Sequence, residues 1–218
     1  TTDIELDVFA SKTEIFLNNK TRVLVSSPET IRICNDKYQS FIFFKKLNLN
    51  TPFTAICQDK DAVNAVPYPR ILKKRVGGHG SINQFIARDE EEYSFYLRYF
   101  DDPLIQQYVT GSEYTIDVLN DFNGRTVSVV PRIRIETRAG VTDKGKTVKD
   151  PRLIEYGRLV AERLNIIGPA NVQCIEHEGK FYFTEVNPRF SGGILLTLQA
   201  GADFLSLLIK MLQGHNVE

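Results

Sequence analysis

Two β-hairpins with a helix between them constrain the fold of this chain more than any other feature. Each predicted hairpin joins two apolar, β-branched segments: 113–119 with 126–136 around Asn123-Gly124, and 172–175 with 181–186 around Glu178-Gly179. Between them, Asp150-Pro151 is a typical helix start, and the apolar residues that follow fall on one helical face. Antiparallel hairpins alternating with amphipathic helices predict an α+β fold.

The N-terminal half adds a second β-rich region. We predict strands at 22–26, 53–57, 70–75 and 104–109, helices that begin at Ser27-Pro28, Asp36 and Asp89, and a closing helix at 203–212. Pro67-Tyr68-Pro69 marks a boundary, and the two lobes are predicted to join near 106–110. Because the chain starts without Met and runs straight into an ordered pattern, we expect an N-terminal portion to be missing from it.

Charge and hydropathy exclude several classes of protein. Lys and Arg number 27, as do Asp and Glu, so no global positive field attracts nucleic acid or an anionic membrane. The apolar stretch 204–212 is too short to span a bilayer and is interrupted by Lys210. Cys34, Cys57 and Cys174 are widely spaced and form no CxxC pair, which predicts reduced thiols in a cytoplasmic protein.

Lys73 and the glycines after it form the first candidate site. A lysine on a predicted strand is followed by Gly77, Gly78, Gly80 and Ser81. Glycines let backbone N–H groups approach phosphate oxygens, and the ammonium supplies a compact positive charge. Taken alone the pattern is also that of an ordinary glycine-rich turn between two strands.

The segment 183–189 is the second candidate site. Strand alternation predicts that Phe183, Glu185 and Asn187 point to the same side, with Gln173 reaching in from the partner strand. Two or three protein oxygens suffice for Mg²⁺, which keeps water and phosphate ligands. Arg189 adds a planar cation suited to phosphate or carboxylate. The alternative is that these polar residues only solvate the end of a strand.

A cluster of basic residues near 132–146 is a third candidate. Arg132 and Arg134 share one face of a predicted strand, Arg138 follows, and Lys144 and Lys146 come soon after. In a chain of zero net charge this density of cations predicts an anion site, which we assign to a substrate carboxylate. The alternative is a solvated strand edge, which basic side chains protect from aggregation.

In order and spacing, these motifs resemble the ATP-grasp superfamily, and within it the carbamoyl-phosphate-synthase-like branch. The resemblance covers roughly 22–213. It implies an ATP-grasp fold of two α+β lobes that clasp ATP, with most of the preceding α/β domain missing. The implied divisions are a remnant of that domain at 1–30, linking helices at 31–66, a small ATP-binding lobe at 67–109 and a C-terminal lobe at 110–218.

The resemblance also implies roles for individual residues. Lys37 and Lys73 would bind phosphates, with Arg189 beside the transferred group and Lys73 and Arg189 acting in catalysis. Gly78, Gly80 and Ser81 would belong to a mobile phosphate loop. The hinge Gln106, Gln107, Tyr108 and Val109 would hold adenine and Glu113 the ribose. Gln173, Glu185 and Asn187 would bind Mg²⁺, or Mn²⁺ in its place. Three positions depart from the family pattern: Lys74 replaces a proline, and Gln106 and Gln173 replace acids.

The activity implied by the resemblance is a carboxylate–amine ligase. A small carboxylate would attack the γ-phosphate of Mg·ATP, and an amine or other nucleophile would then displace phosphate from the acyl phosphate. The alternatives are a kinase-like enzyme that stops at an acyl or carbamoyl phosphate and an ATP-binding module without turnover. Neither nucleic acid nor membrane is expected as a partner, and a homodimer is the commonest assembly for such an enzyme.

Overall fold

Two antiparallel β-sheets with helices packed on them make up the structure. The computed structural model describes residues 3–77, 84–138 and 140–217. The helices are α1 Leu6–Ser11, α2 Thr13–Asn18, α3 Pro28–Asn35, α4 Lys37–Lys46, α5 Lys60–Ala65, α6 Glu90–Leu97, α7 Pro151–Arg163, α8 Ile194–Gln199 and α9 Phe204–Leu212. The strands are β1 Thr54–Ile56, β2 Arg70–Lys74, β3 Phe85–Ala87, β4 Pro103–Gln107, β5 Ser112–Asn120, β6 Thr126–Arg138, β7 Val141–Thr147, β8 Gly168–His177 and β9 Lys180–Asn187. The predicted α+β class is confirmed.

The smaller sheet has the strand order β1-β4-β2-β3. Its first strand, Thr54–Ile56, comes from the segment predicted to contain linking helices. The chain leaves this sheet at Gln107 and enters the larger one at Ser112. Gly111 lies in this connection with φ +157°, and a Cβ there would come within 2.0 Å of the Glu176 carbonyl oxygen. The close approach of the two backbones therefore requires glycine.

The larger sheet has the order β7-β6-β5-β8-β9 and contains both predicted hairpins. Glu178 and Gly179 have φ of 49° and 75°, so the β8–β9 turn uses two consecutive left-handed residues. In the β5–β6 turn, Asp121 accepts hydrogen bonds from the backbone N–H groups of Asn123 and Arg125, both at 2.8 Å. Local turn chemistry thus sets the register of both hairpins, as the sequence predicted.

Helix α7 covers one face of the larger sheet. It begins where predicted, because the Asp150 side chain accepts from the Arg152 backbone N–H and Pro151 occupies the first turn. Leu153 and Val160 are fully buried in the main core. Gly157 lies so close to the sheet that a Cβ would come within 2.6 Å of Ile116 Cγ2. Helices α8 and α9 pack on the opposite face: α8 lies against β7, and α9 buries Phe204 and Leu208 in a second cluster with Leu119 of β5.

The strand predicted at 22–26 is absent from the structure. Residues 22–26 form no strand, and the described residues before them form the short helices α1 and α2. The apolar character of the segment has another cause: Val25 is buried in a small cluster with Leu6 and Ile31. The Ser26 hydroxyl accepts from the Ile167 backbone N–H at 2.9 Å, so the segment is held by packing and side-chain contacts without strand pairing.

Strand β7 was not predicted from the sequence. Its residues, Val-Thr-Asp-Lys-Gly-Lys-Thr, are mostly polar because it lies at the edge of the sheet, where β6 is its one partner among the described strands. The cations Lys144 and Lys146 of the predicted anion site lie on this strand. In the described part of the chain, no helix has the length and apolar content that crossing a lipid bilayer demands.

Candidate active site

A cleft of about 540 Å³ lies between the two sheets. Its walls combine side chains from the smaller sheet, the larger sheet and the N-terminal segment. Those used below are Asp3, Lys37, Lys73, Gln106, Glu113, Arg132, Arg134, Gln173, Glu185, Asn187 and Arg189. The fold therefore brings most of the predicted site residues to one place.

The three predicted metal ligands lie side by side on β8 and β9. Gln173 is directly opposite Glu185, and Asn187 lies two residues further along β9. Asn187 Nδ2 donates to Glu185 Oε1 at 3.1 Å. Together they offer one carboxylate and two amide oxygens, the hard donors that Mg²⁺ prefers. The donor set fits a Mg²⁺ ion whose other ligands are phosphate oxygens and water.

A β-bulge in β9 decides which side chains face the cleft. Gln173 pairs with Glu185, but the next residue, Cys174, pairs with Phe183, which leaves Thr184 as the extra residue. Phe183 therefore points to the core, where it is 1% exposed and its ring lies 5.7 Å from that of Phe44. The prediction that Phe183 shares a face with Glu185 was wrong, because simple alternation fails across a bulge.

Arg189 lies at the edge of this cluster and is held by the N-terminal segment. Its Nε and one terminal nitrogen donate to the two carboxylate oxygens of Asp3, at 2.7 and 2.5 Å. A second terminal nitrogen donates to the Phe190 carbonyl at 3.0 Å. The bidentate geometry is the one a guanidinium uses for a carboxylate or phosphate ligand.

Lys73 projects from β2 toward Glu185, one of the predicted metal ligands on the opposite wall. Its ammonium donates to Gln106 Oε1 at 2.8 Å, and Gln106 Nε2 in turn donates to the Thr54 hydroxyl at 2.8 Å. Burial lowers the pKa of Lys73 to about 8; the negative charge of Glu185 opposes this effect and the positive charge of Lys37 adds to it. An anionic ligand in the cleft would raise the pKa of this lysine again.

Helix α4, which carries Lys37 in its first turn, is anchored at its start by an ion pair between Asp36 and Arg75. Asp36 caps the helix by accepting from the backbone N–H groups of Tyr38 and Gln39. The same carboxylate binds Arg75 bidentately, with a shortest contact of 2.7 Å. Asp36 thus joins the helix that carries Lys37 to the end of β2. The predicted phosphate-loop residues Gly78, Gly80 and Ser81 lie outside the described residues.

The predicted hinge residues divide into two groups. Gln106 and Glu113 line the cleft, whereas Gln107, Tyr108 and Val109 do not form part of its wall. Gln107 instead accepts from the Phe53 backbone N–H through its side-chain oxygen, at 3.2 Å. The side chain of Gln107 therefore serves the strand pairing, and the assignment of these three residues to adenine remains a prediction.

The three predicted substrate arginines occupy different environments. Arg134 is 10% exposed and pairs with Glu113 at 3.0 Å and with Gln173 Oε1 at 3.3 Å. Its Nε has no hydrogen-bond partner among the described atoms. Arg132 is 2% exposed and bonded to protein groups, whereas Arg138 is exposed and does not line the cleft. Two of the three predicted substrate arginines, Arg132 and Arg134, therefore line the cleft.

Comparison with known proteins identifies the fold family. A family model described as "ATP-grasp in the biosynthetic pathway with Ter operon" matches residues 99–218, more than half of the chain. The chain belongs to the ATP-grasp family. It is also similar to the carbamoyl phosphate synthase large chain of Clostridium botulinum, with 26% identity over 94% of this chain. This ATP-grasp chain spans only 21% of the length of that relative.

Solved structures support the same ATP-grasp fold. The biotin carboxylase–beta-gamma-ATP complex from Campylobacter jejuni gives a TM-score of 0.79 at 18% identity and covers 98% of this chain and 53% of its own. The D-alanine–D-alanine ligase of Bacillus anthracis gives 0.73 at 17% identity, covering 98% and 76%. At these identities the likeness concerns the fold alone.

Sequence reasoning missed two residues that organise the ATP-grasp cleft. Asn171 is 1% exposed, accepts from Asn187 Nδ2 at 3.2 Å and donates to the carbonyls of Asn187 and Arg189. It stands two residues before Gln173 on the same face of β8, so strand alternation could have found it. Asp3, the partner of Arg189, carries no local signal, because the contact joins residues 186 positions apart.

Proposed function

We propose that this ATP-grasp chain is the nucleotide-binding core of a Mg·ATP-dependent ligase that activates a carboxylate as an acyl phosphate. The observation that supports this most is the convergence of Lys73, Glu185, Asn187 and Arg189 on one cleft. A nucleotide-binding module without turnover has no need for a positioned arginine beside a metal-ligand set.

In the proposed reaction, a carboxylate oxygen attacks the γ-phosphorus of ATP while the bond from that phosphorus to the ADP oxygen breaks. The nitrogen of an amine then attacks the acyl carbon, and inorganic phosphate and a proton leave. Glu185, Asn187 and Gln173 would hold Mg²⁺, which supplies charge neutralisation at the phosphates. The attacking carboxylate is already anionic, so the remaining contribution of the protein is position and electrostatics.

Each cationic residue has a distinct part in this proposal. Lys73 and Lys37 would bind phosphate oxygens, and the phosphate charge would keep Lys73 protonated despite its burial. Arg189 would stabilise the charge on the group in transfer, after exchanging the carboxylate of Asp3 for the ligand. Removing one such preorganised contact typically costs about 3 kcal/mol, or roughly 10²-fold in rate.

Arg134 is the best supported candidate for binding the substrate carboxylate. Its side chain lies in the cleft wall beside Gln173, and its Nε lacks a partner among the described atoms. We expect Arg134→Ala to raise the Michaelis constant for the carboxylate, with Arg138→Ala as a matched control outside the wall. Unchanged Michaelis constants for every substrate in Arg134→Ala would refute this role.

The proposed activity is tested by Mg²⁺-dependent ADP release with a panel of amino acids, small carboxylates and bicarbonate, each with and without amines. Glu185→Ala should lower the rate roughly 10²-fold. The matched control is Glu155→Ala, since Glu155 is an exposed glutamate on α7. Release that needs both an acid and an amine supports the ligase. Release with the acid alone supports a kinase-like enzyme, and Mg·ATP binding without any release above the Glu185→Ala level supports a binding module.

A further inference from the structure

Arg132 is the largest side chain among the fully buried residues, although it forms part of the cleft wall. Its Nε donates to Asp117 Oδ2 at 2.9 Å, and its two terminal nitrogens donate to the hydroxyls of Thr142 at 2.7 Å and Ser191 at 3.0 Å. Asp117 Oδ2 also accepts from the Thr197 hydroxyl at 2.6 Å. One guanidinium therefore connects β5, β7, helix α8 and the segment after β9.

That segment, 188–193, contains Arg189 and is held to Arg132 at two points. The first is the bond to Ser191. The second is a close approach: a Cβ on Gly193 would lie 2.7 Å from Arg132 Cζ, so only glycine lets the backbone pass over the guanidinium. The segment carries a cleft residue but pairs with no strand in the described part of the chain. It is tied to the larger sheet by the two contacts with Arg132 and by one hydrogen bond from Asn171 Nδ2 to the Arg189 carbonyl at 3.3 Å, so Arg132 holds the part of the segment beyond Arg189.

We propose that Arg132 is a positioning residue that fixes segment 188–193 and thereby orients Arg189 toward the cleft. This replaces the direct contact with a substrate carboxylate expected from the sequence, because the planar fork of the guanidinium is committed to three protein acceptors. The importance of this orientation for catalysis rests on the proposed function, in which Arg189 acts at the transferred phosphate. The positioning itself is a property of the protein without any ligand.

The first test is NMR-detected hydrogen exchange in the ligand-free protein of two amides that bond within and beside this segment: Arg189, which donates to the Asn187 carbonyl at 2.8 Å, and Ile194, which donates to the Ser191 carbonyl at 3.2 Å. Arg132→Lys keeps the charge but not the fork, and Ser191→Ala removes one acceptor with little risk to folding. Both variants should raise exchange of these amides at least about tenfold, the factor for the loss of one hydrogen bond to a charged group. Arg70→Lys is the matched control, because Arg70 is also buried but lies outside the cleft wall. Wild-type exchange in both test variants would overturn the proposal.

The second test compares the affinities for ADP and for a non-hydrolysable ATP analogue, each with Mg²⁺. Arg189→Ala should abolish the preference for the triphosphate, Arg132→Lys should reduce it by a similar factor, and Arg70→Lys should preserve it. Loss in Arg189→Ala with full retention in Arg132→Lys would overturn the positioning role and leave the proposed function intact. If Arg189→Ala also retains the preference, the proposed role of Arg189 fails, and the exchange result alone decides whether Arg132 fixes the segment.

Discussion

Replacing Lys73 with methionine should separate two effects of this lysine. It is proposed to bind phosphate in the cleft, and its buried charge lowers the stability of the ligand-free fold. The ammonium is buried beside Gln106, and burial lowers its pKa from the usual 10.5 to about 8. A charged group whose pKa is depressed on folding destabilises the folded state wherever it is protonated. Lys73→Met removes that cost and is also expected to abolish high-affinity phosphate binding.

The size of the effect follows from the pKa. At about 1.4 kcal/mol per pH unit, the charged form of Lys73 costs the ligand-free fold about 3 kcal/mol at pH 7. Between pH 8 and 10.5 the unfolded chain binds more protons at this site than the folded chain, so wild-type stability rises with pH. The substitution also leaves Gln106 Oε1 without its donor, which costs about 1–3 kcal/mol independently of pH.

Urea unfolding followed by far-UV circular dichroism, at pH 7, 8, 9 and 9.5, measures the difference directly. The stability of Lys73→Met minus that of the wild type should fall by about 2 kcal/mol from pH 7 to 9.5, because the wild type progressively loses its penalty. Other titrations are common to both proteins and cancel in the difference. Lys74→Met controls for the removal of one positive charge, since Lys74 is exposed on the same strand. A difference for Lys73→Met that stays constant over this range would refute the reasoning.

Three further predictions concern the site and its support. Nucleotide binding should take up a proton at Lys73 near pH 8, so calorimetry in buffers of different ionisation enthalpy should detect uptake, and affinity should fall about tenfold per pH unit above pH 8. Gly157→Ala, which normally favours a helix, should instead destabilise by about 1–3 kcal/mol in urea unfolding, because the new Cβ meets Ile116. Asp36→Ala should cost about 2 kcal/mol at pH 7 through the lost cap and the Arg75 pair. Although burial raises the pKa of Asp36, Arg75 and two backbone N–H groups lower it overall, so this cost should shrink only as the pH falls below the usual carboxylate range.

Much of the fold could be predicted from the sequence because its signals are local. The capping serine and proline at Ser27-Pro28 start helix α3, and the Ser27 side chain accepts from the Thr30 backbone N–H as the pattern requires. The turn pairs Asn123-Gly124 and Glu178-Gly179 lie in the turns of the two predicted hairpins of the larger sheet. Each of these features is determined within four or five residues, where side-chain chemistry acts directly on the backbone.

The parts that could not be predicted depend on contacts between distant residues. Strand β7 is polar because it is an edge, and only its pairing with β6 makes it a strand. Segment 22–26 has the composition of a strand, but its buried apolar residue, Val25, packs against Leu6 of α1 and Ile31 of α3. Asp3 reaches Arg189 across nearly the whole length of the chain. Such contacts follow from tertiary packing, which overrides local preference.

The bulge at Thr184 explains why simple alternation places Glu185 and Asn187 correctly on one face of β9 but misplaces Phe183. Simple alternation places Glu185 and Asn187 on one face, which holds because both lie on the same side of the bulge. The same alternation carried back to Phe183 would put a phenyl ring in the cleft beside the carboxylate. The extra residue reverses that face, so Phe183 packs against Phe44 while Glu185 faces Lys73. One inserted position thus lets Phe183 pack in the core although it stands two residues before Glu185, and deleting Thr184 should restore a regular ladder in which the two side chains are neighbours and keep their present opposite faces.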